Sequence, residues 1–77
     1  MSNQVPVYAE VAATVSPLEP FRDIFIAQLG AIGFESFSET ELGFAAYIQK
    51  DQFSQEQVND ALSWEGVECS FTLRDIE

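Results

Sequence analysis

The spacing of apolar residues changes period four times along this chain, and any fold has to satisfy every switch. From Val5 to Val15 the period is two: Val7, Ala9, Val11, Ala13 and Val15 point one way, Tyr8, Glu10, Ala12 and Thr14 the other. Alternation of that length reads as a strand with one buried face. Phe21, Phe25, Leu29 and Ile32 then follow at intervals of four, four and three, the stripe of a helix. Pro20, with its fixed φ, suits the first helical position, and Glu19 before it is pushed out of the helical region. Ser16 and Glu19 also match a capping box, but a helix begun there would lose a hydrogen bond at Pro20. At the far end Gly33 supplies a left-handed stop, with Phe34 folding back on Leu29 in a Schellman-type contact.

Period two returns after the glycine. Phe34 to Glu39 reads as a short strand whose inward face stays open, because Phe34 and Phe37 have opposite parity. Thr40-Glu-Leu-Gly43 reads as a hairpin loop with Gly43 at positive φ. In the next strand Phe44, Ala46 and Ile48 share one face, and Ala45 and Tyr47 the other. A second helix opens on the clearest local signal in the chain. Ser54 is its cap and Gln57 the capping-box partner, with Phe53 and Val58 as a hydrophobic staple. Val58, Ala61 and Leu62 form its stripe, and Gly66 lies just past its end. Val67 to Arg74 alternates again, with Val67, Cys69, Phe71 and Leu73 on one face and Glu68, Ser70, Thr72 and Arg74 on the other.

Strand, helix, strand, strand, helix, strand, each strand with one apolar face, predicts two helices on one side of a four-stranded antiparallel sheet. This is an α+β, ferredoxin-like βαββαβ plan, and analogy with it gives the sheet order 4-1-3-2. Residues 5–77 are expected to form this one domain, and residues 1–4 a disordered start. One feature exceeds what the plan needs. Ile24 and Ile26 flank the first helix's stripe on opposite sides and widen its apolar arc to roughly 200°. Either an isoleucine or two is exposed, which is ordinary, or the back of the helix meets another domain or subunit.

Thirteen carboxylates against Arg22, Lys50 and Arg74 give a net charge of −10. That field repels nucleic acid and anionic membranes and attracts basic proteins, besides keeping a small domain in solution. There is no histidine and one cysteine, Cys69, so no disulfide within the chain and little to hold zinc. This composition fits a cytoplasmic setting. The N-terminus shows no secretory signal, and no apolar run reaches the length of a membrane span.

The chemistries this fold often carries find no footing. A thiolate pair for metal transfer is missing, and Cys69 reads as a small buried hydrophobe. Phosphate binding at the first strand-to-helix loop would face Ser16-Pro-Leu-Glu-Pro20, with two prolines lacking N–H groups and a carboxylate in the way; Arg22 just beyond it reads as an ion-pair partner. RNA recognition would use aromatics on central strands, and Tyr8 and Tyr47 are placed for it. Glu10 and Glu68 share that face, however, and no basic track accompanies them. No glycine has the spacing of a nucleotide or adenosyl-methionine loop. The residues assign no catalytic, cofactor or metal position, and describe a binding module.

Tyr8-Ala-Glu-Val-Ala-Ala-Thr-Val-Ser-Pro-Leu-Glu-Pro-Phe-Arg-Asp-Ile-Phe, Leu29-Gly-Ala-Ile-Gly-Phe-Glu-Ser-Phe37 and Glu39-Thr-Glu-Leu-Gly-Phe-Ala-Ala-Tyr-Ile48 together resemble a known domain. They resemble the N-terminal domain of the bacterial methyltransferases that modify large-subunit ribosomal protein eleven, in their Bacteroidetes-like branch, from Tyr8 onward. The resemblance implies a ferredoxin-like domain that recognises a basic ribosomal protein. A Rossmann-like catalytic domain, which binds S-adenosyl-methionine, would lie outside this chain; either the chain is cut at Glu77 or it is a stand-alone relic of such a protein, and the cut is the favoured expectation. None of that domain's residues maps onto a position here.

Four residues are candidates for the protein contact: Phe21 and Ile24 on the first helix, Tyr8 and Tyr47 on the open sheet. The two pairs lie on opposite sides of the expected fold, so one of them is central, and the helix pair accounts for the wide apolar arc. A ligand-sensing module and a dimerisation module, the latter a homodimer of the isolated domain, are the alternative readings.

Overall fold

The computed structural model describes residues 7–76. The start expected at residues 1–4, and Val5 of the expected first strand, lie outside the described residues. The elements are β1 (Tyr8–Ser16), α1 (Phe21–Ala31), β2 (Ser36–Glu39), β3 (Gly43–Gln49), α2 (Gln55–Ala61) and β4 (Glu68–Ile76), with one short 3₁₀ turn, Lys50–Gln52, before α2. They form one antiparallel sheet in the order β2-β3-β1-β4, the expected order read from its other edge.

The inner face of β1 enters the core as its alternation dictates: Ala9, Val11, Ala13 and Val15 are all buried, as are Phe44, Ala46 and Ile48 of β3. Against them lie Phe25 and Leu29 of α1 and Val58 and Ala61 of α2. Burying one such large aliphatic or aromatic side chain favours folding by about 1.5–3 kcal/mol. The core is therefore centred on β1 and β3, the two central strands.

Both helix boundaries of α1 have a visible cause. Pro20 caps the helix instead of beginning it: at φ −89° and ψ 11° it stands outside helical geometry, and its carbonyl accepts from the Ile24 N–H at 3.3 Å. At the other end Gly33 has φ 112°. The Phe34 N–H donates to the Leu29 carbonyl at 3.1 Å and the Gly33 N–H to the Gly30 carbonyl at 3.3 Å, the two bonds of a Schellman stop. Phe34 and Leu29 are both buried there. That contact resolves the parity conflict: Phe34 belongs to the helix stop, and Phe37 is the residue that β2 turns toward the core.

Three further expectations are corrected. Gly43 does not have positive φ; its backbone instead lies so close to β1 that a Cβ would stand 2.0 Å from the Ala13 carbonyl oxygen. Gly66 is not the stop of α2, which ends at Ala61; at φ 85° it serves a separate turn closed by the Val67 N–H on the Trp64 carbonyl at 3.1 Å. Leu73, expected on an inward face, is 42% exposed, because α1 packs mainly on the central strands β3 and β1 and leaves the far end of β4 uncovered. The cap of α2 is as read: Ser54 Oγ accepts from the Gln57 N–H at 3.3 Å, with Phe53 against the core and Val58 inside it.

Candidate functional site

Charge pairing shapes this surface first. Arg22 contacts Glu19 at 2.8 Å and Glu39 at 3.7 Å, Arg74 contacts Glu10 at 3.0 Å, and Lys50 pairs with Asp75. All three basic side chains are thus engaged within the chain. Of the thirteen carboxylates, Glu77 lies outside the described residues and four, Glu10, Glu19, Glu39 and Asp75, have these cationic partners. The other eight have none among the described residues, so the outward field is that of bare carboxylates. Arg22 also braces the fold, since its Nη1 donates to the Thr40 carbonyl at 2.9 Å and ties the start of α1 to the β2–β3 hairpin.

The open face of the sheet, opposite the helices, carries both tyrosines. Strand register sets Ser36, Tyr47, Glu10 and Arg74 in one row across it, and Ser38, Ala45, Ala12 and Thr72 in the next. Tyr47 Oη donates to Glu10 Oε2 at 2.8 Å, and Arg74 donates to the other oxygen. Glu10 is only 8% exposed, and these two donors offset the cost of burying its carboxylate. Tyr8 Oη donates to Glu35 Oε1 at 3.1 Å, while Gln49 Nε2 reaches Glu35 Oε2 at 3.2 Å. Hydrogen bonding to a carboxylate holds each phenol's proton and pushes its pKa above the ordinary value, helped for Tyr47 by desolvation and for Tyr8 by the charge of Glu35. An anionic backbone laid along these rings would meet those carboxylates.

The helix pair is placed differently. Phe21 and Ile24 are both half-buried and pack against the core, as does Ile26, so the wide apolar arc of α1 has partners within the chain. Phe21 sits between Phe25, at a centroid distance of 6.4 Å, and Trp64, at 5.7 Å. The structure therefore does not bring the four candidates together: Phe21 and Ile24 lie on the helical layer, Tyr8 and Tyr47 on the open sheet.

Leu42, at 67% exposure, and Trp64, at 46%, are apolar surface features that sequence reading missed. Trp64 lies off every periodic stripe, and only its bulk marks it. Leu42 carried a signal, being a leucine in the middle of an otherwise polar hairpin loop. Cys69 is half-buried, and desolvation raises its thiol pKa. Among the described residues no cluster of His, Cys, Asp or Glu could hold a metal, and no helix is long and apolar enough to cross a membrane.

The fold and surface define a small acidic α+β domain of ferredoxin-like plan, with a capped core, an open sheet face and a surplus of unpaired carboxylates. No family model matches the chain, and no solved structure matches it. Curated relatives do. The chain is 42% identical over 57 residues to a ribosomal protein L11 methyltransferase of Phocaeicola vulgatus, covering 73% of this chain and 20% of that protein. It is 39% identical over 62 residues to the protein of that name from Bacteroides fragilis, covering 77% and 22%. With the Bacteroides thetaiotaomicron protein of that name it is 39% identical over 71 residues, covering 91% and 23%. The chain is thus homologous, over most of its length, to one part of the ribosomal protein L11 methyltransferases, and it spans about a fifth of the length of these relatives.

Proposed function

We propose that this chain is the substrate-recognition part of such a methyltransferase and that it binds a basic ribosomal protein of the large subunit. The observation that carries the reading is the pairing of all three basic side chains within the chain while eight carboxylates stay without a cationic partner among the described residues. A surface so arranged selects a cationic partner and repels an anionic one. The names of the relatives supply the class of partner. In this reading S-adenosyl-methionine belongs to a separate catalytic domain, no residue of this chain takes part in methyl transfer, and the setting is the cytoplasm.

Exposed ion pairs contribute less than about 1 kcal/mol each, so the carboxylates govern approach and partner choice more than holding strength. Holding falls to a few desolvated anchors. Phe21 and Ile24, extended by the exposed Trp64, form one candidate anchor; Tyr8 and Tyr47 form the other. Calorimetric titration with purified ribosomal protein L11, against an acidic protein of similar size, tests the reading. Saturable binding of L11 alone supports it, and no binding of L11 contradicts it. Tyr47→Ala and Ile24→Asp then assign the anchor, with a denaturation curve for each variant because both side chains are half-buried.

A further inference from the structure

One depression lies away from all four candidate residues, where the β2–β3 hairpin tip leans against the ends of β1 and β4. It encloses about 750 Å³ and is lined by Leu18, Leu42, Val67 and Cys69 with the carboxylates of Glu41 and Glu68. Neither carboxylate has a cationic partner among the described residues. No lysine or arginine lines the depression.

Leu42 is the most exposed large hydrophobic residue described, and it is not on a loose loop. Its carbonyl accepts from the Val15 N–H of β1 at 2.9 Å, the Thr40 and Gly43 backbones exchange bonds across the turn, and Arg22 holds the Thr40 carbonyl from α1. An apolar side chain is thus presented to solvent on a braced turn. Leu42, Glu41, Thr14 and Ser70 also line a neighbouring depression of about 530 Å³ whose floor includes Ala12 and Ala45 of the open sheet. That second hollow again contains no cation. The two hollows meet at Leu42 and make one groove from the end of the sheet onto its small-residue face.

We propose that this groove docks an extended, basic segment of a partner protein. An apolar or aliphatic stem seats against Leu42, Leu18 and Val67, and lysine or arginine heads reach Glu41 and Glu68. Charge complementarity selects this occupant. A second copy of the chain, at net charge −10, would bring like charge to a groove that already carries two unpaired carboxylates. Lysine and arginine suit the lining in particular, because their aliphatic stems lie on apolar surface while the charged heads stay at the rim. The proposal rests on reading the chain as a binder of basic protein, and it names a contact that none of Phe21, Ile24, Tyr8 or Tyr47 supplies.

Amide chemical-shift mapping of the full chain tests it, with a short unstructured peptide of alternating lysine and leucine as probe. Saturable shifts centred on Glu41, Leu42, Val67 and Glu68 are expected. Leu42→Ser and the pair Glu41→Lys with Glu68→Lys should each weaken peptide binding about tenfold or more, a change of about 1.4 kcal/mol. All these positions are at the surface or half-buried, so the variants should fold, and their spectra report it directly. Shifts spread over the whole acidic surface, or binding indifferent to the variants, would overturn the site. So would shifts there that grow with protein concentration in the absence of peptide, since they would mark a second copy as occupant. A parallel titration with ribosomal protein L11 separates the two claims. L11 binding unaffected by the groove variants sinks the groove and spares the proposed function; peptide binding in the groove without L11 binding does the reverse.

Discussion

Gly43→Ala should destabilise the domain severely, and for a reason unlike that of a turn glycine. The added Cβ would stand 2.0 Å from the Ala13 carbonyl oxygen, 2.8 Å from its carbonyl carbon and 3.0 Å from Thr14 Cα, all backbone atoms of the central strand. Ordinary contacts between non-bonded heavy atoms lie near 3.5–4.0 Å, so β1 and β3 would have to separate by on the order of 1 Å. Overpacking of this kind costs about 1–3 kcal/mol and sometimes more. Moving the hairpin also endangers the Val15–Leu42 bond at 2.9 Å, with a net loss of about 1 kcal/mol. The expected total is about 2–4 kcal/mol, a large fraction of the roughly 4–12 kcal/mol available to a chain of this size. Urea denaturation should show a lower midpoint at an unchanged slope, and thermal unfolding a Tm lower by about 8–32 °C. Gly30→Ala is the matched control, because its Cβ would meet Phe37 Cζ at an ordinary 3.9 Å inside α1. It should gain about 0.5–1 kcal/mol from helix propensity. A Gly43→Ala cost below about 1 kcal/mol, or a Gly43→Asn variant clearly milder than Gly43→Ala, would refute the close approach and restore the positive-φ turn.

Ser54→Ala should cost about 1 kcal/mol in the same assay, since Ser54 Oγ satisfies the Gln57 N–H at the start of α2; a shift under half of that would misplace the cap. Gly33→Ala, at φ 112°, should cost about 1–3 kcal/mol through backbone strain alone, because its Cβ would meet only Ile48 Cδ1 at 3.5 Å. Phenolate absorbance should show Tyr8 and Tyr47 ionising above the ordinary value of 10.0, because the hydrogen bonds to Glu35 and Glu10 favour the protonated phenol. The sign follows from linkage: that stability is full below the unfolded tyrosine pKa and is lost as pH rises through the higher folded value. Two unperturbed tyrosine titrations would remove the hydrogen-bonded rows from the open face.

Most of the fold was legible because its signals are local. Alternation in β1 and β3, the Ser54 cap and the Gly33 stop each depend on residues within one element, and each stands where the spacing put it. The misreadings arise where two distant segments meet. Gly43 looks like a turn glycine until β1 is laid beside it, and then close approach becomes the constraint. Leu73 alternates correctly, but how far a helix extends over an edge strand is not written in that strand. The site was less legible still. Ile24 and Ile26 announced an apolar excess, yet the chain packs both against its own core. Parity places Tyr8 and Tyr47 on the open sheet, but their carboxylate partners come from a loop and from register, Glu35 ahead of β2 and Glu10 on β1 opposite Tyr47. Leu42 lies exposed on a turn braced by Val15 and Arg22, two residues far away in sequence.

The central claim is that this acidic surface exists to meet a basic ribosomal protein, and the association rate with purified L11 as salt is raised tests it most directly. Steering by unpaired carboxylates acts on encounter, and screening shortens its reach to about 8 Å at physiological ionic strength. Saturable binding is expected, with an association rate that falls steeply between low and high salt, while the dissociation rate, set by apolar anchors, changes little. Association that is slow and indifferent to salt, or the absence of any complex with L11 at low salt, would contradict it.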